Sequence, residues 1–198
     1  EGAHSEGRAH GEGSPLSKAA RSGNLSTVKL LLSNGMDIHA NDRGEGTPLS
    51  VAARSGHLEV VKFLLSKGAD IHSYSVGEGT PLSIAARSGH LDIVQYLLGE
   101  GADIESKMRG EGTPLTIAVR SGHLDIVKNL LKQGADIESN ITGGGTPLSI
   151  AVRAEQLEIM EYLLSQGAGE SDQGIKRDND NRNTFSKPGR GTFNHCSA

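Results

Sequence analysis

The residues best equipped for chemistry in this 198-residue chain come in rows. His57, His90 and His123 recur at steps of 33 residues, and a row of imidazoles invites a metal reading. Metal ligands must all lie near ~2 Å from one ion, whereas stacked elements sit about 10 Å apart, so neighbours in such a row cannot share a metal. Hydrogen bonding at a turn between helices fits the spacing better. Gly44-Glu45-Gly46, Gly77-Glu78-Gly79 and Gly110-Glu111-Gly112 have the look of phosphate-cradling loops ahead of helix N-termini. Neither G-x-x-x-x-G-K-[ST] nor G-x-G-x-x-G is completed, and a feature copied in unit after unit points to architecture. Catalysis needs a unique constellation, such as a nucleophile with its base. Here the candidate Ser, His, Asp and Glu residues are themselves repeated, so no catalytic, cofactor-binding or metal residue is expected.

The rows are positioned by a repeated unit, seen most clearly in Thr47–Gly79. Thr47-Pro48-Leu49 returns as Thr80-Pro81-Leu82, Thr113-Pro114-Leu115 and Thr146-Pro147-Leu148, with a weaker first copy at Ser14-Pro15-Leu16. Self-similarity at this period signals stacked repeats. Thr47 offers an N-cap hydroxyl and Pro48 suits the first helical position, where a missing N–H costs nothing. A short helix through Leu49, Val51, Ala52 and Ala53 should stop at Gly56 in a left-handed conformation. A second helix starts near Leu58, with Leu58, Val61 and Leu65 as its apolar stripe, flanked by Val60 and Leu64, and Gly68 closes it. Asp70–Gly79 is polar and glycine-rich, as an extended turn or hairpin requires. Each helix is under about 12 residues, too short to stand alone in water, so units must stack to bury their apolar faces.

T-P-L-S-x-A, then Gly-His, then a Val/Ile-Val-x-x-Leu-Leu run, then Gly-Ala-Asp: this pattern closely resembles the ankyrin repeat, in five tandem copies over residues 14–168. The resemblance implies an all-α solenoid of helix-turn-helix units with protruding β-hairpin loops. Its repeats are 14–46, 47–79, 80–112, 113–145 and 146–168. Two features depart from the family pattern. Ser17, Ser50, Ser83, Thr116 and Ser149 stand where the family has His after T-P-L, and Glu45, Glu78 and Glu111 replace its inter-repeat glycine. A hydroxyl at the third helical position can still share in capping.

The ends differ from the middle. Residues 1–13 align one period upstream of Asn34–Gly46 and read as the remnant of an earlier repeat. Lys18 stands where other units have Val51, Ile84, Ile117 and Ile150, as an edge would. In the fifth unit Glu155-Gln156 replace Gly122-His123 and the second helix carries Glu158 and Glu161, which suggests a closing cap. Residues 169–198 turn polar, and by composition they cannot bury enough surface to offset their own ordering, so a disordered tail is expected. Its basic residues, Lys176, Arg177, Arg182, Lys187 and Arg190, are accompanied by Asp172, Asp178 and Asp180, as in a solvated polar segment. Asn24-Leu25-Ser26 and Asn140-Ile141-Thr142 match a glycosylation acceptor pattern that is common by chance.

Bulk composition agrees with a solenoid. Apolar content of 35%, with three Phe, three Tyr and no Trp, is thin for one central core but sufficient for a continuous Leu/Ile/Val/Ala stripe. A net charge of −4 argues against a nucleic-acid surface. No run of 18 apolar residues marks a membrane span. The single cysteine, Cys196, cannot form an internal disulfide and favours a reducing compartment, hence a cytoplasmic location.

The informative comparison is between units. Their helices barely vary, while the tips do: Ala40-Asn41-Asp42-Arg43, Ser73-Tyr74-Ser75-Val76, Ser106-Lys107-Met108-Arg109 and Ser139-Asn140-Ile141-Thr142. Such positions are free either to drift or to specify a ligand, and Tyr, Arg and Met are enriched in interfaces. The candidate protein-binding residues are therefore Arg43, Tyr74, Val76, Lys107, Met108, Arg109 and Ile141. By resemblance, the expected function is non-catalytic binding of another protein along a concave face of hairpins and first helices, by a monomer that engages neither nucleic acid nor membrane. The alternative is a regulatory or targeting arm of a larger enzyme or channel.

Overall fold

A computed structural model describes residues 13–41, 46–75, 77, 79–107, 112–140 and 145–169. Among these residues the chain forms five helix pairs: α1 (Pro15–Arg21) with α2 (Leu25–Ser33), α3 (Pro48–Ser55) with α4 (Leu58–Ser66), α5 (Pro81–Ser88) with α6 (Leu91–Gly99), α7 (Pro114–Ser121) with α8 (Leu124–Lys132), and α9 (Pro147–Arg153) with α10 (Leu157–Ser165). First helices touch first helices along the chain, second helices touch second helices, and each pair is closed on itself. The result is two stacked rows. No strand occurs among the described residues; an antiparallel bridge between Ser75 and Gly79 is the trace of hairpin pairing. Most of the expected hairpin tips, the upstream remnant before Gly13, the Glu45, Glu78 and Glu111 positions and the tail after Gly169 lie outside the described residues.

Each first helix begins as the Thr-Pro pair dictates. Thr47 Oγ1 accepts from the Ser50 N–H at 3.3 Å, and Thr80, Thr113 and Thr146 repeat the cap. The hydroxyl at the third helical position does share in it: Thr47 Oγ1 donates to Ser50 Oγ at 3.2 Å, and Thr116 Oγ1 donates to the Thr113 carbonyl at 2.8 Å. Gly56 ends α3 at φ 80°, the left-handed conformation that a Cβ disfavours. The core runs through the middle units as Leu49, Ala52, Ala53, Val61 and Leu64 and their equivalents, essentially solvent-free. It is less completely covered in the first and last units, where Leu31, Leu148 and Met160 are only partly buried. Full burial of a Leu such as Leu64 stabilises by about 2 kcal/mol. The buried face of α4 centres on Val60, Val61 and Leu64. Leu58 and Leu65, expected at the centre of the stripe, are only partly buried at its margin. Val60 outranks them because the stripe must also face the neighbouring second helix.

Lys18 is exposed, as its edge position predicts, where Val51, Ile84, Ile117 and Ile150 are buried. The fifth unit is less finished than its glutamates suggested. Val152, Leu157 and Leu164 remain more than half exposed beside them. Glu155 also adopts φ 55°, because the turn geometry is retained after the glycine is lost.

Candidate protein-binding face

The tips rise from a base built the same way in each unit. Asp37, Asp70, Asp103 and Asp136 each accept, through Oδ1, the N–H two residues on, at 2.9 Å. Such Asx turns fix where the chain leaves the second helix. Thr47, Thr80 and Thr113 then meet Ser73, Ser106 and Ser139, hydroxyl to hydroxyl, at 3.3, 3.2 and 3.2 Å. The N-cap of one helix pair is thereby tied to the base of the following tip. The first tip position is thus structural where it is Ser, and only the residues beyond it are left to vary. Sequence comparison could have found this, since Ser73, Ser106 and Ser139 recur at the repeat period.

Neighbouring units also share side chains. Glu105 Oε1 accepts the Asp136 N–H at 2.8 Å, and Glu138 Oε1 accepts the Gly169 N–H at 2.6 Å. In the second tip Ser75 and Gly79 exchange both backbone bonds, at 3.0 and 2.9 Å. The buried Ser75 side chain comes so close to Gly46 that a Cβ there would lie 2.5 Å from Ser75 Oγ. Adjacent tip bases therefore pack without space between them.

Of the candidate binding residues, Tyr74 is 45% exposed and Lys107 is exposed, on adjacent tips. Arg43, Val76, Met108, Arg109 and Ile141 lie outside the described residues, and so does Cys196. Asn24, in one glycosylation-like triplet, is engaged as a helix cap: its Oδ1 accepts the Thr27 N–H at 3.0 Å.

The histidine row does bond at the helix–helix turn, and it bonds between units. Nε2 of His57, His90 and His123 lies 2.9, 2.9 and 3.0 Å from the carbonyls of Arg21, Arg54 and Arg87. A carbonyl only accepts, so Nε2 carries the proton. None of these histidines caps its own helix, although each occupies the N-cap position. The side chain serves the stack instead. Gln156 continues the row more weakly, its Nε2 donating to the Arg120 carbonyl at 3.4 Å.

The second helices carry a different row. Lys29, Lys62 and Lys128 extend over the rings of Phe63, Tyr96 and Tyr162 in the next unit, at 5.4, 5.9 and 5.6 Å from the ring centres. Each contact sets an ammonium against the negative face of a ring, a weak electrostatic attraction at so exposed a position. Glu59, 2.8 Å from Lys62 Nζ, holds that ammonium above its ordinary range. Burial pushes the Tyr96 hydroxyl up, with Glu100 adding to the effect. Where the lysine is absent, at Gln95, the facing ring is absent too, replaced by Asn129. This side of the molecule is occupied with its own stacking.

The family model described as ankyrin repeats (3 copies) matches residues 3–75 and 82–176, most of the chain. The chain belongs to the ankyrin-repeat family. Repeats of this family are generally protein–protein interaction modules, typically without catalytic activity. No individually curated protein matches the sequence. Among the described residues no helix is long and apolar enough to cross a membrane.

Proposed function

We propose that this chain is a non-catalytic adaptor that holds another protein against the face formed by its tips and first helices. One observation carries this: identical bases support unlike tips. Asx turns recur beneath all four tips and Thr–Ser bridges beneath the last three, fixing the chain there, while the residues above them change from unit to unit. A rigid base lets a tip bind without a large ordering cost, and the changing side chains supply specificity. Tyr74 and Lys107 are exposed on adjacent tips, and Arg43, Val76, Met108, Arg109 and Ile141 complete the proposed set by sequence. Binding is by surface complementarity, with no cofactor and no bond made or broken, and the single cysteine is in keeping with a cytoplasmic setting.

A photoreactive residue placed at Tyr74 tests the proposal. Irradiated in extract of the source cells, it should cross-link one protein reproducibly, whereas the same residue at Gln95 on α6 should not. Equal cross-linking from both positions would remove the tips from the account.

A further inference from the structure

The last unit ends on a surface that earlier units keep covered. Ala20, Ala53, Ala86 and Val119 are fully buried, whereas Val152 at the equivalent position is 53% exposed. Leu157 and Leu164 are 65% and 52% exposed, although their equivalents in the units before, such as Leu124 and Leu131, pack against the core. Acid joins this apolar surface at two positions that face the next unit elsewhere. Glu161 replaces the lysine that reaches the following ring, as Lys128 reaches Tyr162. Glu155 replaces the turn glycine, and Gly122 at that position lies against Gln156 of the following unit.

We propose that this end face is a docking site for residues 182–193 of the same chain. The backbone leaves the face at Gly169, anchored through its N–H to Glu138, and residues 170–198 follow. Within them Phe185 is flanked by Arg182, Lys187 and Arg190, Phe193 comes next, and no Asp or Glu occurs after Asp180. The segment therefore brings aromatic surface to Val152, Leu157 and Leu164, and cations to Glu155 and Glu161. Its link to Gly169, extended, spans about 40–50 Å, ample for the return, and tethering raises its local concentration to the millimolar range. A second copy of the same face is a poorer occupant, since it would set these glutamates against their own counterparts. The segment is too polar to fold by itself, but a preformed apolar face supplies the surface it lacks.

Cys196, the chain's single cysteine, provides the test. A nitroxide attached there in the full-length, 15N-labelled protein should erase most of the amide signal at Val152, Leu157 and Leu164 and spare α1 and α2. Full-length Phe185→Ser/Phe193→Ser should restore it while leaving the helical spectrum unchanged. Absence of selective loss, or loss that survives the double substitution, overturns the proposal. A mixture of 15N protein without nitroxide and unlabelled protein carrying it should show no loss. Broadening in that mixture would assign the face to a second copy and likewise overturn it.

Discussion

His90 Nε2 lies 2.9 Å from the carbonyl oxygen of Arg54, 36 residues earlier in the chain. The contact closes the joint between two repeats from the turn side. His90→Ala leaves that carbonyl without its donor and should cost about 1 kcal/mol, lowering Tm by about 2–4 °C. Urea unfolding of the full chain measures the change. An unaltered midpoint would mean that water replaces the imidazole without loss.

Glu155 at φ 55° carries a cost that the glycines at the same position avoid. A side chain held in this region costs about 1–2 kcal/mol. Glu155→Gly should therefore stabilise the chain, by up to about 1 kcal/mol after the greater freedom that Gly gives the unfolded state is subtracted. Thermal unfolding should show the transition moving up; a downward shift would show that the Glu155 side chain holds the last turn in place.

Ala85 is fully buried on α5, between the helices of the units on either side. Ala85→Asp sets a charge there with no partner and no room, a change in the class that costs more than about 4 kcal/mol. Contacts in a stack run only between neighbours, so amide exchange should rise first in α3, α5 and α7. Exchange confined to α5 alone would contradict stacking as the source of stability.

Local signals made most of the fold legible. Thr47-Pro48 and Gly56 bound α3 as expected, because capping and left-handed turns depend on residues within one helix. The histidines were placed at the right turn, yet their acceptors could not be named, since Arg21, Arg54 and Arg87 lie a full repeat away. The exposed trio Val152, Leu157 and Leu164 was hidden for a related reason. Those residues look like those of any other unit, and only the lack of a further helix pair among the described residues distinguishes them. At the candidate site, sequence variation marked Tyr74 and Lys107, both exposed in the structure, but the tip stretches it delimited also contained Ser73 and Ser106, which the Thr47 and Thr80 hydroxyls hold.

The central claim is that the tips recognise and the second helices only stack. Its most direct measurement is the affinity of the partner cross-linked through Tyr74, by calorimetry, for two variants of the full chain. Tyr74→Ala/Met108→Ala/Arg109→Ala removes an aromatic anchor, a thioether and a planar cation from adjacent tips. Gln95→Ala/Lys132→Ala alters exposed positions on α6 and α8. Truncating a hot-spot residue costs about 2 kcal/mol or more, and exposed substitutions move stability by under about 0.5 kcal/mol. The tip variant should keep its Tm and lose at least about thirtyfold in affinity, while the second-helix variant binds like the parent. Full affinity in the tip variant, with loss in the other, would contradict the account and place recognition on the second helices.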